Sequence, residues 1–166
     1  MRWLTDLLIR IARRTPYFHL RHADGSLYME RFWLVRPGRW LPFAVRLHQI
    51  RTADYDRHFH DHPWNFVSVV LRGYYIERRP DEIDPCFGRY GDSDVELQHS
   101  VHRNQYSIAY RRCTDRHLIV WVAPGTWTLV ITSRKRHWWG FYTPAGKVHW
   151  RDYESVHNCT AAGEGG

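Results

Sequence analysis

The chain has 166 residues, of which 43% are hydrophobic and 25% are charged, which is typical of one globular domain with a buried core and excludes a disordered chain. Its net charge of +7 favours acidic partners such as phosphate or carboxylate ligands, but the basic residues are scattered, so nucleic acid is not the expected partner. The aromatic content of 16% favours strands and cavity walls over a helical bundle.

The first predicted element is an amphipathic helix over residues 2 to 14. Its apolar side chains fall on one helical stripe formed by Trp3, Leu4, Leu7, Leu8 and Ile11. Basic residues near its end complement the helix dipole, and Pro16 stops it. A basic amphipathic helix can lie on a membrane surface, but at the terminus of a domain we expect this one to cover a sheet.

After the helix the sequence predicts one short strand after another, separated by Gly, Pro and Asp turns. The strand-like segments are 27–35, 43–52, 66–79, 105–112, 117–123, 127–135 and 138–143. Many short strands with one helix predict an all-β sandwich or barrel. We interpret 1–154 as a single domain, 80–105 as a long polar excursion between two halves of the barrel, and 155–166 as a flexible tail.

Three histidines recur at every second position in "DRHFHDHPWNF", residues 56 to 66. On an extended chain His58, His60 and His62 share one side, while Asp61 points to the other. Imidazoles on one side can converge on a metal ion. A polar strand face that is merely solvated is the alternative interpretation of this segment taken alone.

In the stretch "HDHPWNFVSVVLRG", His60 and His62 form a His-x-His pair. Three residues then separate His62 from Phe66, and six residues separate Phe66 from Gly73. This spacing resembles the first motif of the cupin superfamily. That resemblance implies an antiparallel double-stranded β-helix, or jelly roll, with a metal in the barrel mouth and His60 and His62 as ligands, leaving His58 outside the set. The position that usually holds a Glu ligand is Phe66, so the carboxylate ligand is absent.

The second cupin motif contributes one further histidine, and it is poorly kept in this chain. His117, in "RRCTDRHLIVWVAPG", is the favoured third ligand because of its place in the strand order. His99 and His102 are the competitors. The chain also resembles a narrower group of small cupin-like proteins of bacteria and phages over roughly residues 20 to 153, through segments such as "DGSLYMERFWL" and the final "W-R-[DE]-Y".

A three-histidine cupin site without a carboxylate resembles the thiol and diketone dioxygenases. It implies a mononuclear iron(II) centre that brings dioxygen to a small anionic substrate, with zinc, manganese or nickel as other possible ions. A metal-free nucleotide-sugar epimerase, with His62 as base and Tyr74 or Tyr110 as acid, is the first alternative. A non-catalytic ligand-binding module stapled by its metal is the second.

The remaining candidates are residues expected to border the substrate pocket: Arg46, Trp64, Phe66, Arg72, Tyr74 and Tyr110. An arginine there could pair with a substrate carboxylate or phosphate, although arginines on strands often face solvent. Three cysteines without CxxC spacing and no secretory or membrane-spanning segment favour a cytoplasmic setting. A homodimer through sheet edges is also expected from the family resemblance.

Overall fold

A computed structural model describes residues 2–22, 24–54, 58–81 and 98–153 of the chain. The predicted tail 155–166 lies outside these residues. Within them the chain forms one helix and eleven strands: α1 Arg2–Ala12, β1 Tyr17–Arg21, β2 Leu27–Val35, β3 Ala44–Ile50, β4 Phe66–Arg72, β5 Tyr75–Pro80, β6 Gln98–Arg103, β7 Ile108–Arg111, β8 Leu118–Val122, β9 Thr126–Thr132, β10 Gly140–Thr143 and β11 Gly146–His149.

The strands pair antiparallel throughout and form three sheets. The largest has the order β1-β2-β3-β9-β4-β7, the second β6-β5-β8, and the third is the hairpin β10-β11. Strands distant in sequence are neighbours, since β9 pairs in register with β3, from Ala44↔Thr132 to Ile50↔Thr126, and with β4 on its other edge. The predicted all-β jelly roll with one N-terminal helix is confirmed.

Helix α1 covers the outer face of the six-stranded sheet. Its buried Ile9 and Ala12 join Phe32, Leu47 and Trp127 in one apolar cluster. Burying this stripe is what holds a helix of only three turns in place, because so short a helix is marginal by itself in water. The helix ends at Ala12, two residues before the predicted end.

A second apolar cluster fills one end of the space between the two larger sheets. Met29, Ile50 and Val70 come from the six-stranded sheet, and Tyr75 and Ile119 come from the three-stranded sheet. Side chains alternate along a strand, so residues two positions from these point into the same interior. That alternation defines the inner face of the barrel and positions the functional groups described below.

Three local predictions differ from the structure. Residues 98–103, predicted as part of an irregular excursion, form strand β6, which pairs with β5 from Tyr75↔Arg103 to Pro80↔Gln98; the Gly- and Pro-rich context hid this edge strand. Strand β1 pairs with β2 and was not predicted. The histidine segment is extended but joins no named strand. No helix among the described residues is long and apolar enough to cross a membrane.

Candidate metal centre

The histidine segment lies between two sheets and is fixed by single backbone contacts. His60 exchanges two backbone hydrogen bonds of 3.1 Å with His117, immediately before β8. On its other side it bridges to Phe141 of β10. The amide of His62 donates to the carbonyl oxygen of Cys113 at 3.3 Å. These contacts bring residues 60 and 117, far apart in sequence, into direct opposition.

The three predicted ligands come together in one cluster. One ring nitrogen from each of His60, His62 and His117 lies within 4.8 Å of the others. The Nε2 atoms of His62 and His117 are 2.8 Å apart. Two nitrogens bound about 2.1 Å from one ion at right angles would be roughly 3 Å apart, so this spacing fits adjacent ligands of a divalent metal.

The other candidate histidines lie elsewhere. His58 Nδ1 is 3.0 Å from the Tyr153 hydroxyl oxygen. His99 Nδ1 is 2.5 Å from an Asp81 carboxylate oxygen on the exposed strand β6, where His102 is exposed as well. Among the described residues the only group of three or more potential ligands is the His60, His62 and His117 cluster.

Asp61 points away from the histidines, as the period of two predicts. Its carboxylate is completely buried and accepts hydrogen bonds from the Gly140 amide at 2.9 Å, the Tyr142 hydroxyl at 3.0 Å and the Lys147 ammonium at 2.5 Å. The residue between the two histidines therefore fastens their segment to the β10-β11 hairpin.

Burial keeps His60 and His62 neutral. It is the main cause that lowers the pKa of His60 to about 4, and together with the charges of His117 and His60 it lowers the pKa of His62 well below its usual value. A neutral imidazole offers a lone pair to a metal, whereas a protonated one offers none. The donor set thus fits a divalent ion at neutral pH.

A carboxylate that the sequence reasoning missed orients one of these rings. Glu77, 1% exposed on β5, has its Oε2 3.2 Å from His117 Nδ1. Its Oε1 accepts hydrogen bonds from Arg103, at 2.8 and 2.6 Å, and from Arg111. Burial by itself would raise the pKa of Glu77, but the bond to His117 and the positive charges around it lower that pKa to about 2.

Glu77 therefore acts as the hydrogen-bond acceptor that histidine ligands usually have behind them. By accepting from Nδ1 it leaves the Nε2 lone pair of His117 facing His62. The corresponding group behind His60 is Asp54, whose carboxylate is 4.0 Å from His60 Nδ1, beyond hydrogen-bond distance. His60 Nδ1 is buried without a hydrogen bond.

Aromatic rings surround the cluster. The Phe66 ring centroid is 4.9 Å from that of His62 and 6.5 Å from that of His117. Phe141 and Trp139 flank His60 at 5.6 and 6.3 Å. Phe66 thus lies beside the histidines at the position where the cupin motif usually carries Glu.

Two of the other pocket candidates lie together in the interior. Arg46 is 6% exposed on the inner face of β3, and its guanidinium carbon is 4.7 Å from the ring centroid of Trp64. The ring centroid of Trp33 of β2 is 4.3 Å from the same carbon. The guanidinium therefore contacts two indole rings.

The last three pocket candidates are not brought to the cluster. Arg72 forms an ion pair with Asp6 of the helix on the outer surface. Tyr74 is 41% exposed and packs on Trp121, with ring centroids 4.8 Å apart. Tyr110 is 56% exposed, and its hydroxyl oxygen accepts a hydrogen bond from Asn65 at 3.2 Å. Tyr110 alternates along β7 with the buried Arg111. Arg72 follows a register irregularity at the end of β4, and Tyr74 lies between β4 and β5.

No protein-family model matches the chain, and no curated protein sequence matches it. Solved structures do. A cupin-2 domain protein from Rhodospirillum rubrum, Rru_A2000, superposes with a TM-score of 0.52 at 12% identity, over 89% of this chain and 85% of its own length. The chain has the cupin fold.

Two enzymes with the same fold are larger than this chain. Fe(II)-HppE with the alternative substrate (S)-1-HPP matches with a TM-score of 0.51 and 15% identity, over 74% of this chain and 57% of its own length. A structure from a study of the DMSP lyases RdDddP and RnDddQII matches with a TM-score of 0.52 and 12% identity, over 77% and 61%. The chain therefore spans about three fifths of these enzymes, and at such identities the likeness concerns the fold.

Proposed function

We propose that the protein binds one divalent metal ion, iron(II) by preference, through His60, His62 and His117 and oxidises a small anionic substrate with dioxygen. The observation that carries this proposal is the convergence of three imidazoles, of which those of His60 and His117 are buried and that of His62 is half-buried. The Nε2 atoms of His62 and His117 are 2.8 Å apart. Iron is preferred because the three-histidine set without a carboxylate resembles that of cupin dioxygenases, and because HppE, which shares the fold, holds Fe(II).

Each residue around the centre has a defined task. His60, His62 and His117 hold the ion through ring nitrogens, and Glu77 orients the His117 ring by accepting a hydrogen bond from its Nδ1. Phe66, Phe141 and Trp139 limit the access of water. A bound iron(II) ion would supply open coordination positions at which dioxygen and an anionic substrate meet.

The metal-free epimerase receives no support from the residues suggested for it. That reaction needs a tyrosine acid near the histidine base, and both Tyr74 and Tyr110 lie on the outside of the barrel. The metal-stapled module differs from the oxygenase in a measurable way, because a closed structural site has no position for an added ligand.

Elemental analysis of untagged protein tests the ligand set. Wild-type protein should carry close to one divalent ion per chain, whereas His62→Ala and His117→Ala should bind iron(II) or cobalt(II) at least about a thousandfold more weakly, since two imidazoles hold an ion poorly. His58→Ala is the matched control and should keep the metal, because His58 contacts Tyr153 instead.

The same samples test whether the site is open. Azide added to the cobalt-substituted wild type should change its visible spectrum, because three protein ligands leave positions free. A cobalt spectrum that does not change on addition of azide would favour the stapled module. A wild-type protein that carries no metal, like His62→Ala, would refute the metal centre itself.

A further inference from the structure

Three polar side chains lie side by side on the inner face of β2 and β3, next to the candidate metal centre. Arg31 of β2 is opposite His48 of β3, and Arg46 is opposite Trp33. Met29 and Ile50, two positions from Arg31 and His48 on the same strands, belong to the apolar cluster between the sheets. The alternation therefore directs all three polar side chains into the barrel.

Each of the three has a buried nitrogen without a hydrogen-bonding partner among the described residues: Nε of Arg31, Nε of Arg46 and Nε2 of His48. Arg46 and His48 are buried as whole residues, and Arg31 is half-buried. In the part of the chain that the structure describes, no carboxylate lies within ion-pair distance of either guanidinium, in contrast to Arg103 and Arg111, which share Glu77. Buried charges in proteins are normally paired, so two unpaired guanidinium groups indicate a ligand.

The geometry of Arg46 suits recognition of an oxyanion. Its guanidinium carbon lies over the rings of Trp33 and Trp64, 4.3 and 4.7 Å from their centroids. These cation–π contacts hold the group without using its N–H donors, so its planar fork remains available for two parallel hydrogen bonds. Two oxygens of a carboxylate or a phosphoryl group match this fork.

The charge at this place is positive. Burial lowers the pKa of both guanidinium groups, that of Arg31 to about 10, which leaves both charged at neutral pH. Burial together with the charges of Arg31 and Arg46 lowers the pKa of His48 well below its usual value, so His48 is neutral. The subsite borders the metal centre because Trp64, whose ring centroid is 4.7 Å from the Arg46 guanidinium carbon, is only two residues from His62.

We infer that Arg31, Arg46 and His48 form an oxyanion subsite, which holds the carboxylate or phosphoryl group of a small substrate while the rest of that molecule faces His60, His62 and His117. The role of the subsite in a reaction rests on the proposed function, but its ability to bind an anion does not. The substrate class is therefore a small molecule with one terminal oxyanion.

Calorimetric titration of chelator-treated, metal-free protein with inorganic phosphate and, separately, with acetate tests the subsite. Wild-type protein should bind at least one of them, and the preferred anion tells a phosphoryl from a carboxylate group. Arg31→Met and Arg46→Met should each weaken binding about 10- to 100-fold, as expected for a lost charged hydrogen bond. Arg46→Lys keeps the charge but not the fork and should weaken binding several-fold.

Arg72→Met is the matched control, since it removes a guanidinium that pairs with Asp6 on the outer surface. It should bind the anions like wild type. Melting curves provide a second readout for Arg31: a purely structural role would lower the melting temperature of Arg31→Met, whereas a ligand-binding role leaves it unchanged or raised, because no hydrogen-bonded or ion-paired partner is lost. Arg46→Met also loses the contacts with Trp33 and Trp64, so its melting temperature does not separate the two roles.

Absence of anion binding by wild type, equal weakening in Arg72→Met, or wild-type affinity in both Arg31→Met and Arg46→Met would overturn the subsite. These outcomes are separate from the fate of the metal centre. A protein that binds phosphate but no metal keeps the subsite and loses the proposed oxygenase. A protein that binds metal but neither anion keeps the centre and loses the subsite.

Discussion

On their outer face, strands β2 and β3 carry Phe32 and Leu47, which pack with Ile9 of the helix. On their inner face, one residue away, the same strands carry Arg31 and His48, each with one buried nitrogen that has no hydrogen-bonding partner within the described ranges. Both faces are buried, yet one is closed by matching apolar groups and the other retains unsatisfied polar ones. Burial of the first kind stabilises the fold, whereas burial of the second kind costs stability and is retained at functional sites.

The largest effect on stability should come from removing a buried side chain on the outer face of the sheet. Leu47 is completely buried, so Leu47→Ala leaves a cavity beneath the helix and should lower the free energy of unfolding by about 2 to 5 kcal/mol. Urea denaturation measures this loss. Ile131→Ala on β9 is the control, because Ile131 is 40% exposed and its truncation should cost less than about 1 kcal/mol. Equal losses in the two variants would contradict the packing described for the helix.

An intermediate effect is expected from a substitution of Glu77, which lies behind His117 in the interior of the barrel. Glu77→Gln keeps an oxygen that can accept from His117 but removes the negative charge behind it, so affinity for cobalt(II) or iron(II) should fall about 10- to 100-fold. Competition with a metal-binding dye measures the affinity. Glu30→Gln is the matched control, since Glu30 pairs with Arg51 at 2.8 Å away from the centre, and it should bind metal like wild type. Unchanged affinity in Glu77→Gln would remove Glu77 from the site.

The smallest expected effect adds a group to the inner face. Phe66→Glu places a carboxylate beside His62 and should tighten divalent metal binding roughly tenfold. The reason is that the attraction between this carboxylate and the cation exceeds the cost of removing the carboxylate from water. The same change should reduce the response of the cobalt spectrum to azide, because one open position is filled. Phe66→Leu provides the control without charge. A Phe66→Glu protein with wild-type affinity and azide response would show that the side chain does not reach the ion.

Local alternation predicted much of this arrangement from sequence. The period of two at 58–62 placed His60 and His62 on one side and Asp61 on the other, even though the segment forms no strand, because an extended backbone alternates with or without a sheet partner. The all-β class followed from the number of short strands, the pair His60 and His62 from the cupin spacing, and His117 from its place in the strand order.

Contacts between distant strands were harder to predict. Glu77 meets His117 across 40 residues of sequence, and only the inward alternation Tyr75, Glu77 in "YIERR" hinted at a buried carboxylate. Arg31 carried a similar signal, two residues from Met29 on the apolar face of β2. Conversely, Arg72 and Tyr110 lie on strands that border the barrel, but both side chains are on the outer face. The sequence alone does not tell which face of such a strand is turned to the core.

The position of His60 has a consequence for how the molecule opens. This single residue joins the start of β8 on one side to β10 on the other, through isolated bridges rather than a ladder of strand pairs. Local opening in proteins begins where few backbone bonds must break together. The neighbouring Asp61 strengthens the side that faces the β10-β11 hairpin through its buried carboxylate. An ion held by His60, His62 and His117 would add a corresponding link on the other side, between the histidine segment and the start of β8.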